Sequence, residues 1–209
     1  MKLRKMTLIV VLAVVAAALL FIGWTNRVSA DTEEQPYTLI RKWEGIEFRT
    51  YPPAILASVS KNGKMMEVGN TGFRELAGYI FGGNDRSEKI AMTAPVVFVP
   101  GDANSQLTEM SFVMPADKTM DKLPSPNSST VRIHRSDTVH MAVLRFGGFA
   151  NNSDIEDKAE ELRQLLKKNK IRFTDRVVFM AYNPPFQLVG RRNEVAFELQ
   201  EDPALLQSL

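Results

Sequence analysis

Two amphipathic helical patterns, each set among short β-type segments, constrain the fold of this 209-residue chain more than any other feature. In the first, near residues 71–81, apolar side chains recur at helical spacing. In the second, residues 153–170, Ser153 and Glu156 form a capping box. A strand-type segment precedes each helix and two follow it. The sequence therefore predicts an α+β fold of two units, each with the order strand, helix, strand, strand.

The predicted strands are rich in β-branched and aromatic residues and are bounded by turn signals. Glu44-Gly45 marks a hairpin turn within the first of them, and Pro95 places the third on a sheet edge or at a bulge. A polar segment, 115–129, connects the two halves of the chain. The strand segments are 37–51, 54–60, 89–99, 107–114, 130–135, 138–149, 176–182 and 194–200.

The two units lie at nearly constant spacing along the chain, which indicates a degenerate internal duplication. The strand after each helix is predicted to end in a proline element, and its prolines, Pro95 and Pro184, are 89 residues apart. Two such units can combine their sheets and so limit exposed edges. We therefore predict a distorted antiparallel β-barrel from two fused strand-helix-strand-strand repeats, with two flanking helices, in a single domain that spans residues 31–209.

The amino terminus has the pattern of an export signal. Residues 8–24 are continuously of low polarity and follow three basic residues within positions 2–5, and the Val-Ser-Ala sequence at 28–30 suits cleavage after it. Residues 1–30 are therefore predicted to be a signal peptide or, alternatively, an uncleaved N-terminal transmembrane anchor. Both alternatives place the remainder outside the cytoplasm, in the periplasm or on the extracellular side, with 31–35 as a flexible lead.

The composition excludes several classes of function. The chain has no cysteine, which excludes thiolate metal sites, iron–sulfur clusters and a cysteine nucleophile, and it has only two histidines. Four of its 26 Lys and Arg residues and none of its 24 acidic residues lie in 1–30. Residues 31–209 are thus slightly acidic, and their net charge does not favour binding to DNA or RNA. Recognisable catalytic motifs are missing, and we expect a monomer that is not an enzyme, with no catalytic and no metal-binding residues.

Six short elements occur in an order and at spacings typical of one family. They are residues 47–54 (EFRTYPPA), 72–84 (GFRELAGYIFGGN), 89–96 (KIAMTAPV), 146–149 (FGGF), 181–185 (AYNPP) and 191–195 (RRNEV). Through them the chain resembles the SOUL/heme-binding protein family over nearly its whole length. The resemblance implies a distorted antiparallel β-barrel with two flanking helices. It also implies binding of heme or another tetrapyrrole in a surface groove near the first helix, without implying a defined reaction.

The positions proposed for heme contact in animal relatives differ in this chain. Where one branch of the family has a histidine before the Tyr-x-Pro element, this sequence has Thr50. The basic positions of the first helix correspond to Thr71 and Tyr79, and a further one corresponds to Gln187. The resemblance thus implies the scaffold without its usual ligands, and heme contact would need other groups or would be mostly apolar.

A tetrapyrrole is a flat apolar disc with two carboxylates, so its site needs apolar or aromatic surface and cations at the rim. Arg74 is a candidate rim cation and Tyr79 a candidate stacking surface, since both leave the core stripe of the first helix. Phe81 could add apolar wall, and Gly78 could allow close approach of a flat ligand or of another backbone segment. Arg191 could hold a carboxylate. Alternatively, Arg74 and Tyr79 lie on an ordinary solvent-exposed helix face, and Phe81 packs in the core.

Other candidates have a plain structural interpretation. At least one arginine of the 191–192 pair is expected to form an ion pair with Glu194 or another acid. His134 and His140 lie on consecutive predicted strands, which could bring them together, but two histidines without a carboxylate partner are weak evidence for an iron or metal ligand. Surface or hydrogen-bonded histidines are the favoured interpretation.

The leading hypothesis is an exported, non-enzymatic protein that binds heme or another tetrapyrrole and sequesters or carries it. One alternative is a binding module for a different amphipathic small molecule, since the usual basic and histidine positions are lost. The other alternative is an enzyme that acts on a tetrapyrrole.

Overall fold

A nine-stranded antiparallel sheet with two helices packed on one face forms the body of the protein in a computed structural model, which describes residues 2–101 and 105–200. In chain order the elements are α1 (Lys2–Ala30), β1 (Glu33–Glu34), β2 (Thr38–Trp43), β3 (Ile46–Tyr51), β4 (Ile55–Asn62), α2 (Met65–Ile80), β5 (Thr93–Ala94), β6 (Val96–Pro100), β7 (Leu107–Val113), β8 (Arg132–Arg135), β9 (Val139–Phe146), α3 (Asn152–Lys168), β10 (Phe173–Ala181) and β11 (Asn193–Leu199).

The sheet order confirms the duplicated strand-helix-strand-strand pattern. The order is β2-β3-β9-β11-β10-β6-β7-β4-β8, so β4-α2-β6-β7 and β9-α3-β10-β11 are arranged alike. In each unit the third strand lies between the other two, and the second strands of the two units pair with each other, with Phe98 opposite Phe179. The two units therefore share a continuous sheet.

The strands that precede the two units are exchanged between them. β3 comes before the first unit but pairs with β9 of the second, and β8 comes before the second unit but pairs with β4 of the first. The described strands leave β2 and β8 at opposite ends of the sheet, unpaired with each other. The antiparallel sheet and its two helices are thus confirmed, whereas barrel closure is not found because closure would require those end strands to pair.

The core lies between the two helices and one face of the sheet. Leu76 and Ile80 of α2 and Leu162 and Leu166 of α3 are fully buried there, as the apolar stripes predicted. Side chains on alternate positions of the central strands meet these helices. They include Phe48, Val59, Phe98, Met110, Phe179, Val195 and Phe197.

Both helices begin earlier than predicted because groups that cap their first turns precede the predicted starts. α2 starts at Met65, directly after the Asn62-Gly63 turn, and the Glu67 carboxylate accepts a hydrogen bond from the main-chain N–H of Lys64 at 3.0 Å. α3 is capped by Asn151 and Asp154, which accept each other's main-chain N–H groups. The predicted capping box is thus displaced by two residues.

Two local predictions are wrong in detail. The segment 89–99 is divided at Pro95, which stands before β6, whereas Pro184 follows β10, so these prolines are not equivalent. The segment 31–35, predicted to be a flexible lead, is instead held by hydrogen bonds. β1 pairs in parallel with β5, and the Glu33 carboxylate accepts a hydrogen bond from the N–H of Ala116 at 2.8 Å.

Residues 2–30 form one helix that leaves most of its described apolar side chains exposed. Near its end the ring of Trp24 stacks on Phe186, with 5.7 Å between ring centroids. Within the described part of the chain, no helix combines the length and the apolar character needed to cross a membrane. The assignment of 1–30 as a signal peptide or an anchor stays a prediction.

Candidate functional site

The outer face of α2 brings together three of the residues predicted from the sequence. Arg74, Gly78 and the C-capping residue Phe81 are four and three positions apart, so they follow one another along the solvent side. Phe81 is 61% exposed, and a Cβ added at Gly78 would meet nothing within 4 Å. The helix therefore offers a flat, open area between a cation and an aromatic ring. We call Arg74, Gly78, Phe81 and Lys89 the α2 surface.

The two cations of the α2 surface are not neutralised by neighbours. An antiparallel bridge places Lys89 beside Phe81, and Lys89 is exposed. Within residues 2–101 and 105–200, neither Arg74 nor Lys89 has an ion-pair partner. Nearby carboxylates are already paired, in Glu75–Lys61 at 2.5 Å and Glu88–Lys118 at 2.8 Å. The surface can therefore attract a ligand that carries carboxylates.

Tyr79 does not belong to this surface, and its predicted stacking role is wrong. Its side chain is 2% exposed, and its hydroxyl donates a hydrogen bond to the carbonyl oxygen of Pro124 at 3.0 Å. Burial, together with the negative charges of Glu88 and Asp85, raises the pKa of Tyr79 to about 12, so the phenol stays protonated. Its position three residues after Leu76 on the core stripe was the signal that could have indicated burial.

The glycines near this surface have different roles. An added Cβ at Gly72 would lie 2.9 Å from the sulfur of Met110, so the lack of a side chain there lets α2 approach the sheet. At Gly83 an added Cβ would lie 2.6 Å from the carbonyl oxygen of Gly78. Close packing is thus required at Gly72 and Gly83, whereas the missing side chain of Gly78 leaves open surface.

Arg191 lies in the β10–β11 loop, and its contacts belong to the second half of the chain. Its Nη1 atom donates hydrogen bonds to the carbonyl oxygens of Pro184 and Gln187 at 2.8 and 2.9 Å. Its guanidinium also lies 4.5 Å from the ring centroid of Phe149. Burial lowers its pKa. The five predicted residues therefore do not form one site.

A buried ionic cluster joins three of the sequence elements that carry the family resemblance. The Glu194 carboxylate, fully buried, accepts two hydrogen bonds from Arg49 at 2.7 and 3.0 Å. It accepts two more, from Arg192 Nε and from the hydroxyl of Tyr182, each at 2.9 Å. The predicted pairing of Arg192 with Glu194 is confirmed. Arg49 was missed, although its place between Phe48 and Thr50 on β3 indicated the face opposite the core.

The charges in this cluster compensate one another. Burial acts to raise the pKa of Glu194, but the hydrogen bonds and charges of Arg49 and Arg192 outweigh it, so the pKa lies below its usual value. For both arginines burial acts to lower the pKa. Their contacts with Glu194 prevail and raise it. The cluster is therefore fully charged at neutral pH.

Aromatic rings and the N-terminal lead cover the cluster. The guanidinium of Arg49 lies 4.2 Å from the ring centroid of Tyr37, and that of Arg192 lies 3.6 Å from the ring centroid of Tyr182. Glu34 of β1 adds an ion pair to Arg192 at 2.8 Å. Because its groups are paired and covered, the cluster holds strands together rather than facing a ligand.

The two histidines are separate and hydrogen-bonded. His140 Nδ1 lies 2.9 Å from the hydroxyl oxygen of Thr50, and His134 Nε2 lies 2.9 Å from that of Ser58. Their strands, β9 and β8, are not neighbours in the sheet. The described residues also contain no group of three or more His, Cys, Asp or Glu side chains that could hold a metal ion. The hydrogen-bonded interpretation is confirmed.

Two described cavities lie away from the predicted residues. The larger, about 790 Å³, lies between the start of α2 and α3, and its wall includes Glu67, Glu156, Asp157 and Glu160. The smaller, about 440 Å³, lies between the lead and residues 115–121 and is lined by prolines, Met120 and Arg135. None of the five predicted residues lines either cavity. These four carboxylates outnumber the two cations of the same wall, Lys64 and Arg163, so the larger cavity is net acidic, which disfavours an anionic ligand.

Comparison with solved structures shows a shared fold at low sequence identity. The chain is similar to the C-terminal domain of EcmrR, with a TM-score of 0.59 and 10% identity, over 79% of this chain and 99% of that one. It is also similar to a hydrolase from Listeria innocua, with a TM-score of 0.51 and 11% identity, over 77% of this chain and 94% of that one. At such identities the likeness extends to the fold alone.

Curated relatives and a family model identify the protein family. The chain is 29% identical to heme-binding protein 1 of Xenopus laevis, over 82% of this chain and 95% of the relative. It is 30% identical to heme-binding protein 2 of Homo sapiens, over 75% of this chain and 79% of the relative. The family model described as SOUL heme-binding protein matches residues 32–198. The chain therefore belongs to the SOUL heme-binding protein family.

Proposed function

We propose that this chain binds heme or another tetrapyrrole on the α2 surface, and that it sequesters or carries this ligand without changing it. The observation that carries the proposal is the pair of unneutralised cations, Arg74 and Lys89, beside the open area at Gly78 and the exposed ring of Phe81. Membership of the family, and relatives named for heme binding, support the ligand class.

The residues of the α2 surface fit a flat anionic amphiphile. The face of the disc would lie over Gly78 and against Phe81, while Arg74 and Lys89 would hold its carboxylates by charge-assisted hydrogen bonds. The surface itself has no His, Met, Cys or exposed Tyr that could bind iron. It therefore fits a group held by its face and carboxylates. Heme would supply a redox-active iron, and the protein residues would only bind and orient the disc.

A carrier role rather than catalysis is supported by where the strongly shifted ionisable groups lie. Arg49, Arg192 and Glu194 are paired with one another and covered, so they are unavailable to a substrate. The second candidate is a binding module for a different amphipathic small molecule, favoured by the lack of an iron ligand on the α2 surface. A tetrapyrrole-modifying enzyme is the third and weakest candidate.

The proposal includes export, with residues 1–30 as a signal peptide or an anchor and 31–209 as the binding domain outside the cytoplasm. Glu33 attaches the lead to β5 and to Ala116, so cleavage after Ala30 would leave these contacts in place. The intact mass of the exported protein distinguishes cleavage from anchoring. A monomer without affinity for nucleic acid belongs to the same proposal.

The test is a titration of the full chain, in detergent, with heme followed by the Soret absorbance. We expect the double variant Arg74→Gln/Lys89→Gln to bind about tenfold more weakly, or ~1.4 kcal/mol, because two carboxylate partners are lost. Arg135→Gln is the matched control, since Arg135 is exposed but lines the smaller cavity.

Three results would contradict the proposal. One is a wild-type chain without saturable binding at micromolar heme. The second is a double variant that binds as the wild type does. The third is a loss of affinity confined to Arg135→Gln, which would move the site to the smaller cavity.

A further inference from the structure

A second apolar surface lies in loops of the second half of the chain and shares no residue with the α2 surface. Large apolar side chains from the β9–α3 and β10–β11 loops stand in solvent there, with exposed fractions between 41% and 59%. We call them the loop surface, and they are Phe149, Phe186, Leu188 and Val189. Clustered exposure of this kind marks a contact surface rather than the scattered apolar exposure of an ordinary protein surface.

Hydrogen bonds fix the main chain beneath the loop surface, so the apolar side chains of this surface remain exposed to solvent. The buried amide of Gln187 donates to the carbonyl oxygen of Val189 at 3.0 Å, and Arg191 bridges the two loops through its contacts with Pro184 and Phe149. Asn193 Nδ2 also donates to the carbonyl oxygen of Gly148 at 2.8 Å. The surface is therefore preorganised for a partner.

The loop surface is continuous with the apolar side of α1. Trp24 stacks on Phe186, and Phe21 lies 6.0 Å from Trp24 between ring centroids. From residue 9 to Trp24 the apolar side chains of α1 are mostly exposed on several sides of the helix. A surface that is apolar around a helix suits lipid, whereas one protein partner would cover one face. Tryptophan beside such a segment is typical of the membrane–water interface.

The charge beside the loop surface has the sign that suits anionic lipid. Arg191 donates to main-chain carbonyls and has no carboxylate partner among the described residues, so its positive charge is uncompensated. Cations next to exposed apolar side chains strengthen attachment to anionic lipid.

We propose that the loop surface docks on an anionic lipid bilayer, with Phe186, Leu188 and Val189 in the boundary between headgroups and acyl chains. In the uncleaved chain Trp24 lies in the same boundary, and in either form Arg191 is on the headgroup side. The contact is interfacial, so it does not require α1 to cross the bilayer, and it is independent of tetrapyrrole binding.

The experiment uses the absence of cysteine in the chain, which allows one labelled site at a time. Leu188→Cys in the full chain carries an environment-sensitive NBD fluorophore, and the chain is mixed with vesicles of phosphatidylcholine and phosphatidylglycerol. Met120→Cys is the matched control, since Met120 is 46% exposed on a different loop. We expect the emission at 188 to shift to the blue and to be quenched by lipid-borne quenchers, while the emission at 120 stays as in buffer.

The outcome is decisive even when α1 alone brings the chain to the vesicles. Vesicle-bound protein whose emission at 188 equals that in buffer overturns the proposal, because the loop then remains in water. Equal shifts at 188 and 120 also overturn it, since that result indicates non-specific adsorption or unfolding.

Discussion

The α2 surface and the buried cluster around Glu194 use the same charged residue types for opposite purposes. On the α2 surface Arg74 and Lys89 lie in solvent and form no ion pair with any residue that the structure describes, so their charge is available to a ligand. In the cluster Arg49 and Arg192 share the Glu194 carboxylate, each has a second carboxylate partner, and aromatic rings cover them, so their charge is neutralised within the fold. The difference shows that the presence of a partner, rather than residue type, separates a candidate binding cation from a structural one.

Removing the shared carboxylate of the cluster should change the protein more than any other substitution considered. Glu194→Gln should lower the free energy of unfolding by about 3–5 kcal/mol, because it leaves two buried arginines without their shared carboxylate. Urea denaturation followed by circular dichroism measures the change. Glu198→Gln is the control, since Glu198 lies on the same strand but is exposed, and it should stay within about 0.5 kcal/mol of wild type. Equal stabilities of the two variants would contradict the structural role of the cluster.

The second prediction concerns how the contribution of Glu194 to stability depends on pH. The pKa of Glu194 is lowered in the folded chain, so its stabilisation is fully present above the unfolded value of about 4.3 and is lost as pH falls through the folded pKa. The difference in unfolding free energy between wild type and Glu194→Gln should therefore narrow below about pH 4. Urea denaturation over a pH series tests this. A difference that widens toward acid pH would refute the assigned sign.

The third prediction separates stability from binding on the α2 surface. Gly78→Gln should raise the free energy of unfolding by about 0.5 kcal/mol, since glutamine favours a helix over glycine. The same change should weaken heme binding by about five- to tenfold, because the new side chain fills the open area.

The companion variant is Gly72→Ala, whose methyl group would crowd Met110 and Val59. We expect this crowding to outweigh the gain in helix propensity and to lower the free energy of unfolding by about 1 kcal/mol. Heme titration and urea denaturation of both variants provide the test. Unchanged heme affinity in the Gly78 variant would place the ligand elsewhere.

The last prediction compares two ligands and expects little difference between them. If the disc is held by its face and its carboxylates, metal-free protoporphyrin IX and heme should bind with affinities within about threefold of each other, since neither gains a protein ligand to iron. Fluorescence and absorbance titrations compare the two. A preference for heme of tenfold or more would indicate an iron ligand, with His140 or His134 as the residues to substitute next.

Local patterns predicted much of the fold and part of the site. The core stripes of α2 and α3 follow from apolar spacing, and the β2–β3 hairpin follows from Glu44-Gly45, where both residues have positive φ. The exposed positions of Arg74 and Gly78 follow from the same helical spacing. Tyr79 was misplaced because an amphipathic side chain at the border of a stripe turns toward whichever neighbour packs there. Here that neighbour is the loop at Pro124.

The elements, their order, their repetition and the faces that the helices bury follow from local sequence, because they depend on residues that are close along the chain. The exchange of β3 and β8 between the two units and the open ends of the sheet are visible in the folded chain alone. The same holds for the contact of Arg49 with Glu194, 145 residues away. Such pairings depend on strand order and on the desolvation of both partners, and neither quantity is encoded in local periodicity.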